Sequence, residues 1–451
     1  MDEMKRVLIW GMAKSGVAAA KLLCGKGIFV RINDLKTEAE LGDDIHTLDA
    51  LPIDRRLGEK PDALLDDIDT VVISPGIPAD HPSAVYARSK GIRVISEIEL
   101  AYRLSRGYLV GVTGTNGKTT TTTLLGEIFK LSGRDTKVVG NIGEPYSAHA
   151  AETDDDSVTV CELSSFQLET IDTFRPDVSL MLNLTEDHLN RHKTMENYAR
   201  IKERIFMNQS ACDAAVFNYD DPITRDMAAR AHCDTYFFSR KALPPHGTFV
   251  KNGRMRFAGK HGERDIIDIN EILIPGAHNL ENALAAACGA LCAGIEADTV
   301  AHALRTFLGV EHRIESVRTV GGVTYINDSK GTNPDSTIKA IECMKSPTVI
   351  LLGGSEKNSD YSLMARTMLK SNVMFAVLLG DTGEKIGEAL KKEGFTAFEY
   401  AGHDFEKAIY CAKEHAPAGG NVLLSPACAS FDMFRDFEHR GEEFKRIVNK
   451  M

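Results

Sequence analysis

The feature that most constrains this chain is Gly114-Thr115-Asn116-Gly117-Lys118-Thr119. It lies between an apolar run, Tyr108 to Val112, and a helical stretch from about Thr120 to Leu131. A strand that runs straight through a glycine turn into a helix is a unit of a parallel α/β sheet. Glycines let backbone N–H groups turn inward on phosphate oxygens, and the helix N-terminus adds positive potential. In such a loop Lys118 reaches the terminal phosphates and the Thr119 hydroxyl sits on Mg²⁺. The spacing departs from the usual pattern, which has glycine where this chain has Val112; Gly111 and Gly114 lie beside it. The alternative is a glycine-rich turn that merely opens a helix. Thr119, Thr120 and the three residues after them are all threonine. Such a run forms helix poorly, so packing or ligand contact has to hold it.

The same rhythm runs along the whole chain. Strands are predicted at Val7 to Trp10, Ile28 to Ile32, Thr70 to Ile73 and 92–95. The next set is 108–112, 136–139, 157–161, 178–182 and 214–217, and the last is 323–327, 347–352, 374–379 and 421–425. Helical stretches fall at Val17 to Leu23, 194–209 and 280–293, and one closes the chain after Glu438. Residues 240–274, rich in glycine and short alternating runs, read as a local antiparallel excursion. The fold class is therefore α/β, with three consecutive α/β domains: 1–97, 98–309 and 310–451. The first and last are Rossmann-like and the middle one is of the P-loop ATPase type. The length of 451 residues suits about three domains.

Composition narrows the function. A formal charge of -11 argues against a general nucleic-acid partner. It leaves room for a local basic pocket around an anionic small molecule. No apolar run reaches the roughly 18 residues that span a bilayer, and no small-residue cleavage site follows the first apolar segment. Nine scattered cysteines without a CxxC pair read as reduced core residues rather than a zinc site. The expectation is a cytoplasmic protein that is not embedded in a membrane.

Other candidates lie at strand ends. The Gly11 to Gly16 turn follows a strand, and Asp34 ends the next one, but the middle glycine of a dinucleotide fingerprint is missing. A site for a nucleotide's phosphates or base is the favoured reading; a redox dinucleotide and a bare turn are the alternatives. Glu162, at the carboxyl end of a strand in the same domain as the phosphate loop, is a natural Mg²⁺ ligand, against the alternative of a surface carboxylate. His188 follows another strand and is placed to face the same pocket. Lys202 lies one helical turn past Tyr198, and by itself reads as a solvent-facing lysine. Asp328, Lys330 and Thr332 follow a strand at the start of the third domain and form a charged cluster.

Six stretches together resemble the ATP-dependent Mur ligases, which build the peptide of bacterial cell-wall precursors. They are Gly114 to Thr119, Gly140-Asn141-Ile142-Gly143, Glu162 to Gln167, Thr185-Glu186-Asp187-His188, Gly276 to Asn282, and Asn327 to Thr332. The tail Ser425-Pro426-Ala427-Cys428-Ala429-Ser430-Phe431-Asp432 is similar to that of the D-glutamate-adding branch. The resemblance implies ATP-dependent joining of D-glutamate to UDP-N-acetylmuramoyl-L-alanine by a monomer. The first domain would hold the UDP end of the substrate, the second ATP and the third the amino acid. It implies two Mg²⁺ ions, one on Thr119 and Glu162 and one on His188, with a carbamylated Lys202 bridging toward metal. Lys118, Glu162, His188 and Lys202 then form the catalytic set. Gly114 to Thr120, Asn279, Asn282, Arg313, Asp328 and Lys330 surround the nucleotide. Ser15, Gly16, Asp34, Asn141, Ser164 and His188 face the UDP-linked substrate, and Thr332, Lys357, Ser430 and Phe437 face D-glutamate. Two departures stand out: the turn at Trp10 to Lys14 is poorer in glycine than is usual, and Gly331 stands where alanine is common. A related glutamate-adding family, folylpolyglutamate synthase, lacks an N-terminal domain of this kind.

Overall fold

A computed structural model describes residues 4–260, 262–355 and 359–451. Lys357 lies outside the described residues. The chain forms two compact units: one runs to Leu273 and includes Ala277–Phe307, and the other is Ile274–Gly276 with Leu308–Met451.

The first unit holds two sheets. One is built from β1 (Arg6–Trp10), β2 (Phe29–Asp34), β3 (Ile53–Leu57), β4 (Thr70–Ile73) and β5 (Arg93–Ser96). Its order is β3-β2-β1-β4-β5 and every pairing is parallel. The connection reverses direction between β1 and β4, so the turns after these two strands border a crevice at the sheet's carboxyl edge. The other sheet contains β6 (Tyr108–Thr113), β7 (Thr136–Gly140), β8 (Val158–Glu162), β9 (Val178–Met181), β10 (Ala214–Asn218), β11 (Asp234–Ser239), β12 (Gly247–Lys251), β13 (Arg254–Gly259) and β14 (Gly262–Asp268). The order is β14-β13-β12-β11-β10-β9-β6-β8-β7. Only the β12–β13 and β13–β14 pairings are antiparallel, which is the excursion expected at 240–274.

The strand β6 sits between β9 and β8, buried from Leu109 to Thr113. A strand covered on both faces reads as an unbroken apolar run, which is why it is legible in the sequence. The helix after it, Lys118–Leu131, forms in spite of its threonines. Five threonines cost about 0.5 kcal/mol each against alanine. Leu124, Leu125, Ile128 and Phe129 are fully buried, and each such side chain contributes about 2 kcal/mol. Packing wins.

The second unit has one sheet: β15 (Glu315–Val320), β16 (Val323–Asn327), β17 (Thr348–Gly353), β18 (Val373–Leu379), β19 (Phe398–Gly402) and β20 (Asn421–Leu424). The order is β15-β16-β20-β17-β18-β19, with only β15 antiparallel. The helix Phe437–Lys450 closes the chain.

Four strands escape the sequence reading: β3, β11, β15 and β19. Three are edge strands. An edge strand has one partner and a wetter face, so its residues carry charge: Ile-Asp-Arg-Arg-Leu in β3, Glu-Ser-Val-Arg-Thr-Val in β15. The fourth, β11, lies inside its sheet, but its first four residues are only partly buried.

Candidate active site

The phosphate loop stands where β6 ends. Gly117 has φ +85°, and a Cβ there would lie 2.2 Å from Asn282 Oδ1. Only glycine takes this conformation and leaves room for Asn282 at the same time. Asn282 in turn donates to Asn279 Oδ1 at 3.2 Å. The loop is gripped from its other side by Asn183, whose Oδ1 accepts from Asn116 N at 2.8 Å and whose Nδ2 donates to Asn116 O at 3.0 Å. Thr115 Oγ1 lies 3.2 Å from the Tyr198 hydroxyl. Thr119 and Thr120 are buried in the first turn of the helix.

Two amines meet at this loop. Lys118 Nζ donates to Gly114 O at 3.0 Å and Thr115 O at 2.8 Å. Lys202 Nζ donates to the same Gly114 carbonyl at 2.8 Å, and to Thr113 Oγ1 at 3.1 Å. Lys202 is 1% exposed. This overturns its reading, by spacing alone, as a solvent-facing lysine. The helix Met195–Glu203 lays it against the sheet, with Tyr198 beneath it at 5.0 Å. Burial, and next the Lys118 charge, hold the Lys202 amine well below the usual lysine range. Both effects favour the uncharged, nucleophilic form of the amine.

Glu162 ends β8 and is also buried, not a surface carboxylate. Its Oε1 accepts from Asn141 Nδ2 at 2.9 Å, while Oε2 is buried with no hydrogen-bond partner among the described residues. A buried carboxylate oxygen left over in this way, with Thr119 in the same unit, suits a hard divalent cation. Ser164 caps the short helix Ser165–Leu168 and exchanges hydrogen bonds with Gln167. His188 is exposed, in the left-handed conformation at φ 52°, with its ring 4.8 Å from Phe166 and Nε2 3.4 Å from Asp187 Oδ2.

At the crevice of the first sheet, a Cβ on Gly16 would lie 2.0 Å from Gly11 O, so glycine permits the tight strand-to-helix turn. Ser15 Oγ lies 3.4 Å from Ser74 Oγ across the crevice. One Asp34 oxygen accepts from Met12 N at 2.8 Å and the other from Lys36 N at 3.0 Å.

In the second unit the loops after β16 and β20 meet. Asp328 is buried; its Oδ2 accepts from Ser425 Oγ at 2.6 Å and its Oδ1 from Ile314 N at 3.2 Å. Burial pushes its carboxyl up to about 7, against the opposing pull of the Ser425 hydrogen bond and the Arg313 charge. A Cβ on Gly331 would lie 2.7 Å from Asp328 Oδ2 and 2.8 Å from Ser425 Oγ. The departure from alanine thus leaves room for this close pair. Thr332 N donates to Lys330 O at 2.8 Å, and Lys330 Nζ stands 4.9 Å over Phe437. Ser430 is buried, and its carbonyl accepts from Phe434 N at 2.8 Å.

The sequence reading missed the residue that ties these loops together. Arg440 is fully buried; it donates to Ser329 Oγ and O at 2.9 and 2.7 Å, and to the Cys428 and Ala429 carbonyls at 3.1 and 3.3 Å. Its helical neighbours are polar, Glu438, His439 and Glu442, so nothing local marks it. Tyr198 and Asn183 likewise carry little local signal as single residues; only their place after a strand or beside Lys202 points to them.

Family models match along the chain: the MurD-like N-terminal domain of Mur ligases at residues 5–96, the Mur ligase middle domain at 112–290, and the Mur ligase glutamate ligase domain at 312–428. The chain belongs to the Mur ligase family. Curated Mur ligases named UDP-N-acetylmuramoylalanine–D-glutamate ligase are similar over nearly the full length. That of Alkaliphilus oremlandii is 47% identical over 446 residues, covering 98% of each chain. That of Clostridioides difficile is 44% identical over 449 residues, covering 99% of each. Among solved structures, the Mur ligase MurC of Thermotoga maritima aligns over 99% of this chain and 100% of its own, with a TM-score of 0.61 at 19% identity. MurF of the same organism, in complex with ADP, aligns over 99% and 98%, with a TM-score of 0.59 at 18% identity. These two share the fold. Among the described residues no helix is long and apolar enough to cross a membrane.

Proposed function

We propose that the chain joins D-glutamate to UDP-N-acetylmuramoyl-L-alanine at the expense of ATP, giving ADP and phosphate, in the synthesis of peptidoglycan precursors. Similarity of 43–47% along the whole chain to ligases named for this reaction carries the reading. The two lysines converging on one carbonyl beside a buried carboxylate supply its chemistry.

A carboxylate is a poor acyl donor because oxide would have to leave. One oxygen of the L-alanyl carboxylate therefore attacks the γ-phosphorus, and the bond to the β-bridging oxygen breaks to release ADP. The amine of D-glutamate then attacks the carbonyl carbon of the acyl phosphate, and phosphate leaves with the carboxylate oxygen. Lys118, drawn off Gly114 and Thr115, offsets charge on the transferring phosphoryl group. Gly114 to Thr120 cradle the phosphates, and Asn279 and Asn282 border them. Arg313, Asp328 and Lys330 serve the nucleotide from the third domain. Thr332, Lys357, Ser430 and Phe437 hold D-glutamate, where the Lys357 cation suits an anionic amino acid. Ser15, Gly16 and Asp34 hold the UDP end; Asn141, Ser164 and His188 hold the part nearer the reacting carboxylate.

Thr119, Glu162, His188 and Lys202 fit two Mg²⁺ ions, which when bound polarise the phosphoryl oxygens. The depressed Lys202 amine is suited to add CO₂ in its neutral form and release a proton, which gives a carbamate and so an anionic ligand from a lysine. Domains at 1–97, 98–309 and 310–451 divide the three substrates among them, and the enzyme acts as a cytoplasmic monomer. Purified protein should release phosphate from ATP only when UDP-N-acetylmuramoyl-L-alanine and D-glutamate are both present. Full turnover with L-lysine or meso-diaminopimelate in place of D-glutamate would overturn the assignment.

A further inference from the structure

We infer that Arg191 and Glu169 are a positioning pair that holds the turn after β4 in register with the His188 loop, and so aligns the UDP-linked substrate with the phosphate loop. The inference rests on the reaction proposed above but concerns residues that reading leaves without a role.

The geometry is a crossed tie. Arg191 lies in the short helix Leu189–His192 that begins directly after His188. Its Nε and Nη2 donate to the two Glu169 oxygens at 2.9 and 2.6 Å, a bidentate pair. The same Nη2 also donates to Ile77 O at 3.0 Å, and Nη1 to Gly76 O at 3.4 Å. These carbonyls belong to the turn Ser74-Pro75-Gly76-Ile77, closed by Ile77 N donating to Ser74 O at 2.9 Å, that borders the first sheet's crevice. Glu169 answers from the other side: its Oε2 accepts from Ala79 N at 3.2 Å. The pair is largely removed from water, with side chains 15% and 9% exposed. Phe166 lies 4.8 Å from the guanidinium and the same distance from the His188 ring, so one aromatic ring touches both the tie and the candidate ligand.

Four segments thus meet at two side chains: the turn after β4, the stretch following Glu162, the His188 loop and its helix. The first belongs to the sheet that would take the UDP end. The others belong to the sheet that carries the phosphate loop. Transfer between a carboxylate and a γ-phosphate needs the reacting atoms within a fraction of an ångström of line, and a misplacement of about 1 Å costs on the order of a hundredfold in rate. A hinge at this junction would be felt in chemistry and in binding of the UDP-linked substrate, but not in ATP binding. A bidentate guanidinium that also reaches two carbonyls cannot be copied by lysine, which has one point of charge and no fork.

The test uses the full chain with Arg191→Ala, Arg191→Lys and Glu169→Gln. Steady-state kinetics are run for each substrate, with amide hydrogen exchange followed at residues 74–79. The expected result for Arg191→Ala is a KM for UDP-N-acetylmuramoyl-L-alanine raised about tenfold and a kcat lowered about ten- to a hundredfold, with the KM for ATP within about twofold. Arg191→Lys should fall between, and should keep the inference testable if the alanine variant does not fold. In Glu169→Gln the Ala79 amide should exchange faster. A loss in kcat alone, with both KM values unchanged and exchange at 74–79 as in the parent, would mark a merely structural role and overturn the inference. If the parent chain itself releases no phosphate with both substrates, the reaction reading fails; exchange at Ala79 then still reports whether the tie exists.

Discussion

Lys202 in the first unit and Asp328 in the second are the same problem solved with opposite signs. Each is an ionisable group buried at the carboxyl edge of a parallel sheet. Lys202 meets two acceptors, Gly114 O and Thr113 Oγ1. Asp328 meets two donors, Ser425 Oγ and Ile314 N. Burial pushes both toward neutrality, the amine down and the carboxyl up to about 7. They differ in neighbours. Lys202 has a second cation, Lys118, which pushes the same way as burial and outweighs the opposing pull of Asp187 and of Glu162 taken singly. Asp328 has Arg313, which pushes against it. Like charge beside a buried amine adds to the effect of burial; opposite charge beside a buried carboxyl works against it. In the first unit the amine is thereby moved toward its uncharged, nucleophilic form. The second has prepared a group that changes charge near neutral pH.

The largest effect that can break this contrast is Lys202→Ala. Phosphate release should fall about a thousandfold or more, on the scale of losing preorganised charge at a phosphoryl group, with partial recovery when short carboxylic acids are added. Activity at the parent level would remove the lysine from the site. Next, Lys118→Ala should cost about a hundred- to a thousandfold in kcat/KM for ATP. Titration of Lys202 by a lysine-selective reagent should then shift to higher pH, because a neighbouring positive charge is gone.

Asp328→Asn sharpens the other side. The folded chain holds the Asp328 proton up to about pH 7, and the unfolded chain releases it near 3.8. The folded state therefore binds more protons between these values, so the contribution is fully present below about pH 4 and is lost as pH rises through 7. The asparagine chain should melt close to the parent below about pH 4 and higher than it at pH 8, by at most about 4 kcal/mol in stability. An equal difference at both pH values would contradict the burial argument. The smallest effect is expected for Gly117→Ala. Positive φ, together with the Asn282 oxygen 2.2 Å from the new Cβ, should cost about 1–3 kcal/mol and raise the KM for ATP.

The parts legible in the sequence share a physical cause. Central strands such as β6, β8 and β9 are covered on both faces, and their apolar runs announce them. The phosphate loop is local, so its spacing is visible in one stretch of chain. Asn183, Arg191 and Arg440 act across gaps that only folding closes; Arg440 reaches Ser329 over 111 positions. Lys202 shows the limit most sharply. Its helix has a polar composition, Met-Glu-Asn-Tyr-Ala-Arg-Ile-Lys-Glu, that reads as a solvated face. Only the resemblance to a family pointed to it, and the structure supplies the reason in the packing of that helix on the sheet.

The central claim is that ATP activates the substrate carboxylate as an acyl phosphate. It is tested most directly with UDP-N-acetylmuramoyl-L-alanine carrying ¹⁸O in both oxygens of the alanyl carboxylate, turned over with ATP and D-glutamate in unlabelled water. The account predicts one labelled oxygen in each inorganic phosphate released and the other retained in the new amide. Unlabelled phosphate alongside full amide formation would contradict it.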